Sequence, residues 1–124
     1  MAVAEHRGIE SPLIPSVATG FCTGVAGTAG MCGALTGGIL ALNLVYGRCE
    51  SDDSRDENYR VVRCLIEQFQ QAHGATHCTE LLGCNPATVS GQIVFRMKNL
   101  RCQCYTYAGT VARMAAALAG EQPR

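Results

Sequence analysis

The chain has 124 residues, 48% hydrophobic and 16% charged, with ten basic and ten acidic side chains that cancel. A chain of this length fits one domain, residues 1–124, with an apolar core of its own, so its eight cysteines are not needed as staples for a miniature fold. Balanced charge argues against a nucleic-acid binder, which needs a surplus of Lys and Arg against phosphate, and the absence of Trp removes the best stacking platform for single strands.

The opening, MAVAEHRGIESP, has no basic segment leading directly into an apolar one, so no signal peptide is read there and residues 1–11 are expected to form a loose N-terminal segment. The expected compartment is the reducing cytoplasm, where clustered cysteines bind metal or do redox chemistry more often than they form permanent bridges. Pro12 and Pro15 suit the opening of a short helix running toward Phe21, and Gly20, Gly24, Gly27 and Gly30 mark a loop after it. Between Glu10 and Arg48 nothing ionisable occurs except Cys and Tyr. The apolar run 31–47 inside this stretch carries Gly33 and Gly37 at the GxxxG spacing that allows two helices to approach closely. As a membrane span it is barely long enough, contains Asn43 and follows a poor helix former. It reads instead as the central helix of a bundle, buried all round, and no membrane span is expected.

Ser54 and Glu57 have the spacing of a capping box, so a helix is predicted to start there. Val62, Leu65, Ile66, Phe69 and Ala72 recur every three or four residues among polar neighbours, which makes residues 59–72 the clearest amphipathic helix. Gly74 suits its C-terminal stop, and a short helix from Cys78 should end at Gly83. Asn85 and Pro86 suit an N-cap and first-turn proline for a helix reaching Met97. Residues 106–118 form the last helix, with Val111, Met114 and Leu118 on one face. No strand pair is read anywhere. The predicted class is all-α: about four to five helices around the Gly-rich central one.

The cysteines are Cys22, Cys32, Cys49, Cys64, Cys78, Cys84, Cys102 and Cys104, and no two have CxxC spacing. That removes paired-knuckle zinc ribbons, thioredoxin-type sites and covalent haem attachment, so haem is not expected. Ligands would have to converge from separate helices and loops. Cys32 stands where the Gly-rich loop turns into the apolar helix, so its thiolate would meet the positive helix end and its pKa should fall. Cys78 likewise opens a helix. Cys102 and Cys104 lie beside Arg96, Lys98 and Arg101, cations that favour thiolates and would offset the charge of a thiolate-ligated iron–sulfur cluster. Any one of these cysteines can equally be a small core residue. Cys64 falls on the polar side of its helix, as incidental exposure, an oligomer contact or an extra ligand, while Cys84 and Cys49 are second-tier candidates. His77 adjoins Cys78 and is a weaker ligand candidate, with His73 four residues earlier.

Cys32-Gly33-Ala34-Leu35-Thr36-Gly37 before the apolar helix, and Leu44-Val45-Tyr46-Gly47-Arg48 closing it, resemble the C_GCAxxG_C_C family of redox-active proteins. Cys78-Thr79-Glu80-Leu81-Leu82-Gly83 and Cys104-x-x-Tyr107-Ala108 follow in that family's order, and the similarity runs from about residue 12 to residue 118. The resemblance implies a small helical protein with four shared cysteines and an electron-transfer or redox role, often in anaerobes and sometimes near transporter genes. The family is also similar to a domain of split-Soret cytochromes, whose haem motif this chain lacks. Three family cysteines map onto Cys32, Cys78 and Cys104. The fourth belongs to an N-terminal helix for which this chain is too short, leaving Cys22 as substitute, Cys102 as alternate, or a partner chain as supplier.

The functional expectation is a non-enzymatic electron-transfer protein binding an iron–sulfur cluster through Cys22, Cys32, Cys78 and Cys104, with Arg101 and the small residues Gly33 and Gly37 in support. The alternatives are a metal-free thiol–disulfide protein and an interaction module with inert cysteines. About 37 uncharged residues, 11–47, exceed what one strong apolar stripe can cover, so a homodimer is also expected, crossing at Gly33 and Gly37.

Overall fold

The computed structural model describes residues 1–120; the last four residues of the expected domain lie outside the described residues. Seven helices and no strands occur among the described residues: α1 (Ala2–His6), α2 (Leu13–Ala18), α3 (Gly33–Tyr46), α4 (Asp56–His73), α5 (Cys78–Leu82), α6 (Val89–Met97) and α7 (Arg101–Gly120). The all-α class is as expected, with two short helices more. α3, α4 and α7 pack against one another as the core, and α1 leans on α7 and α3.

α3 is central, but it is not buried all round. Leu35, Leu42, Val45 and Tyr46 face α4 and α7, whereas Asn43 and Leu44 reach solvent, and the Asn43 side chain accepts a hydrogen bond from Asn58 at 2.8 Å. The Tyr46 hydroxyl donates to the Leu118 carbonyl at 2.8 Å, tying the end of α3 to the end of α7. Close approach between these helices occurs at Gly38, whose absent Cβ leaves room for Val111 and Leu65. Neither expected glycine serves that crossing. Gly33 instead lies under the carbonyl of Phe21, and Gly37 faces open space.

Several boundaries differ from the sequence reading for local reasons. The first residues are not loose: α1 buries Val3 and Ala4, and Arg7 donates to the Ala119 carbonyl. α4 starts at Asp56 without a closed capping box, because Glu57 pairs with Arg60 at 2.7 Å while Ser54 accepts from the Asp56 N–H. Its buried stripe is Val61, Leu65 and Phe69. This face is rotated from the expected one, so Cys64 flanks the core and packs against it, and Ala72 is exposed. Asn85 forms a turn, accepting from the Ala87 N–H, and the cap of α6 is Thr88, whose hydroxyl accepts from the Gly91 N–H. α7 begins five residues earlier than read and takes in Cys102 and Cys104. Gly74 and Gly83, at φ +81° and +70°, end α4 and α5 in left-handed caps as predicted.

Gly37→Ala and Gly38→Ala should shift stability in opposite directions. Ala at 37 adds helix propensity in open space and should stabilise by about 0.5–1 kcal/mol. Ala at 38 drives a methyl group into Val111 and should destabilise by about 1–3 kcal/mol, both read by urea unfolding.

Candidate functional site

Two short stretches of extended backbone build the site. The Cys32 N–H donates to the Thr76 carbonyl at 2.8 Å and the Cys78 N–H donates to the Gly30 carbonyl at 3.1 Å, flanking an antiparallel bridge between Met31 and His77. Side chains alternate along such a ladder, so Cys32 and Cys78 leave on one face and Met31 and His77 on the other. Burial agrees: both cysteines are buried and His77 is exposed, its Nδ1 2.9 Å from the Thr76 hydroxyl. The same two cysteines are helix starts, Cys32 as the N-cap of α3 and Cys78 as the first residue of α5. The bridge therefore joins two helix entrances by their backbones.

Cys104, in the first turn of α7, is the third member. Its thiol, Cys78 and Cys32 interact electrostatically with one another. α5 is clamped onto α7 beside them: the Leu81 carbonyl accepts from the Tyr107 hydroxyl at 3.0 Å and from the Gln103 amide at 3.1 Å, and that amide also donates to the Tyr107 oxygen at 2.8 Å. Sequence reading missed this clamp; only the i, i+4 spacing of Gln103 and Tyr107 hints at it. His73 also belongs to this corner. Its ring lies between Phe69 and Tyr107, with centroids 4.8 and 4.7 Å away, and its Nε2 is buried without a hydrogen-bond partner.

Burial decides the protonation of Cys78 and Cys104. It pushes the Cys78 thiol up to about 11, with Cys32 and Cys104 adding repulsion. Cys104 is raised too, chiefly by burial and then by Cys32, and Arg101 offsets only part of the rise. Basic neighbours were expected to favour thiolates here. They do not prevail, because desolvation penalises the anion more than one exposed guanidinium stabilises it. Burial likewise raises the Tyr107 phenol.

The remaining sulfurs are dispersed. Cys22 is exposed, but its Cα lies 3.7 Å from where a Cβ on Gly33 would stand, which puts the loop beside the start of α3. That loop is strained: Thr23, Gly24, Val25, Ala26 and Gly27 all have φ between +52° and +77°, a left-handed turn that costs non-glycine residues about 1–2 kcal/mol each. Cys102 is two residues from Cys104 on the same helix, so it faces away and is exposed, with its sulfur 3.5 Å from the Asn99 amide. Cys49 is exposed, Cys84 is half-buried beyond α5, and Cys64 accepts from Gln68 on α4. All eight are free thiols, and among the described residues no three His, Cys, Asp or Glu side chains stand close enough to hold one metal ion. No helix among them is long and apolar enough to cross a membrane.

An all-α bundle that gathers three thiols at helix starts defines a helical protein with a cysteine-centred site. The family model described as putative redox-active protein (C_GCAxxG_C_C) matches residues 1–118, and the chain belongs to that family. No curated protein and no solved structure matches the chain.

The raised thiols set a pH dependence for folding. In the unfolded chain Cys78 returns to its ordinary value of 9.0 and loses its proton first, so the stability from its protonated form is full below pH 9. Stability should then fall as pH rises through about 11, and Cys78→Ser should flatten that decline in urea titrations between these limits.

Proposed function

We propose that Cys32, Cys78 and Cys104, joined by Cys22, hold an iron–sulfur cluster, and that the protein is a non-enzymatic electron carrier. The observation that carries this reading is the convergence of three thiols from separate helix starts, of which Cys78 and Cys104 are kept protonated chiefly by burial. At a pKa of about 11, roughly one Cys78 in ten thousand is a thiolate at pH 7, a poor starting point for thiol–disulfide exchange. Metal binding takes the proton off and replaces repulsion with attraction.

Cys32 and Cys78 leave one face of the ladder as diagonal neighbours and Cys104 comes from α7, so a cluster would be held by thiolates from three separate elements. When bound, it would supply a one-electron couple. The chain's residues supply a low-dielectric seat from the buried ends of α3 and α5, and the clamp on Leu81 keeps Cys78 against Cys104. Cys22, on the loop beside the start of α3, is the fourth ligand this reading assigns. This chemistry belongs in a reducing compartment, and the cytoplasm is the one we assign.

Anaerobic purification with iron and sulfide analysis tests the reading. Stoichiometric iron and sulfide should be found, and Cys32→Ser or Cys78→Ser should lose most of both, while Cys49→Ser and Cys64→Ser retain them. A colourless, metal-free protein with a reversible two-electron disulfide couple would overturn it in favour of thiol–disulfide chemistry.

We also propose a homodimer through α2 and the outer side of α3, where Leu13, Val17 and Leu44 are exposed and Gly37 is open. Light scattering at micromolar concentration should give twice the chain mass, falling to one in Leu13→Glu/Leu44→Glu; a wild-type monomer excludes the dimer.

A further inference from the structure

We propose that the outer face of α6 is a docking surface for an acidic electron-carrier protein. The inference rests on the electron-transfer reading above and adds the partner to it. Val89, Ile93 and Met97 are four residues apart on one face of α6 and are exposed to 74%, 53% and 81%. The opposite side of the helix meets the turn that precedes it. Gly91 is pressed against the Asn85 carbonyl, the Thr88 hydroxyl caps the first turn, and Val94 and Phe95 are half-buried. The apolar stripe thus lies on the side of α6 away from that turn.

Around its C-terminal end stand Arg96, Lys98 and Arg101, all exposed. The one salt bridge among the described residues joins Arg60 to Glu57, and no Asp or Glu occurs between Leu81 and Gly120. An apolar stripe with cations around its C-terminal end is complementary to an apolar patch bordered by acidic residues. A second copy docked face to face would set these cations against themselves. A head-to-tail copy could offer its acidic run, residues 50–57, but ESDDSRDE has no apolar side chain to cover the stripe. An anionic membrane would meet the charges. Against it, α6 is only nine residues long and its exposed Ser90 and Gln92 lie among the apolar anchors.

The position suits a carrier. α6 turns through residues 98–100 directly into α7, and Cys104 follows Arg101 by three residues, about 4.5 Å along the helix axis. A protein seated on this rim would lie within a turn of a thiol of the site.

The test is calorimetric titration of the full chain, both as isolated and after removal of metal, with two acidic probes, a [2Fe–2S] ferredoxin and a flavodoxin. At least one should bind, with affinity falling steeply toward about 0.5 M salt. Arg96→Glu/Lys98→Glu should weaken binding roughly tenfold or more, and Ile93→Ser several-fold, without moving the unfolding midpoint because these side chains are exposed. Binding of neither probe, or binding indifferent to these variants, would overturn the proposal. So would equal, variant-sensitive binding to phosphatidylserine vesicles, or self-association that the variants abolish. A chain that is metal-free as isolated anaerobically and still binds through α6 would retire the cluster and keep the surface. A cluster-loaded chain whose binding ignores α6 would do the reverse.

Discussion

Two backbone hydrogen bonds, Cys32 to Thr76 and Cys78 to Gly30, are the constraint on which the site depends. They join the entrance of α3 to the entrance of α5 across more than forty residues of chain. Because side chains alternate on an extended backbone, this one pairing turns both thiols the same way and sends His77 to solvent. The helices then carry the constraint outward. α3 runs from the bridge into the core between α4 and α7, and Tyr46 fastens its far end to Leu118. At the near end, Gln103 and Tyr107 fasten α5 to α7 through a single carbonyl, that of Leu81.

The chemistry of the site is a contest between solvation and charge. A thiol at an exposed helix start beside arginine loses its proton readily. Here the same residue types sit beneath a layer of packed side chains, and the loss of water outweighs what Arg101 contributes. Thiols in this state react slowly with disulfides and oxidants, unlike the exposed, low-pKa thiols of disulfide exchange.

The charges are zero in sum but not in distribution. Acidic residues gather in the exposed run 50–57, whereas the segment carrying α6 and most of α7 is purely basic. The site lies by the basic region, which has an uncovered apolar stripe, and the central helices provide the rigid frame between the two. The strained left-handed turn at residues 23–27 sits beside the start of α3, held by backbone hydrogen bonds from Val25 through Gly30. Strain of this kind persists only where surrounding structure overdetermines it.

Periodicity and end signals in the sequence determined the all-α class, the core helices and the stops at Gly74 and Gly83, because these depend on residues within a turn or two of each other. Helix-start positions pointed to Cys32 and Cys78, basic neighbours pointed to Cys104, and the family resemblance grouped the three. The face of α4 was misjudged by a fraction of a turn, since Val62 and Ile66 are as apolar as Val61 and Leu65 and only the placement of α3 and α7 chooses among them. The glycine that admits a neighbour, Gly38, could not be told from Gly37 for the same reason. Tertiary structure alone decided that residues 30–32 pair with 76–78, a contact too short to leave a strand pattern. It also decided that Cys78 and Cys104 stay protonated, because burial is a property of everything packed around a residue and not of the residues beside it in the chain.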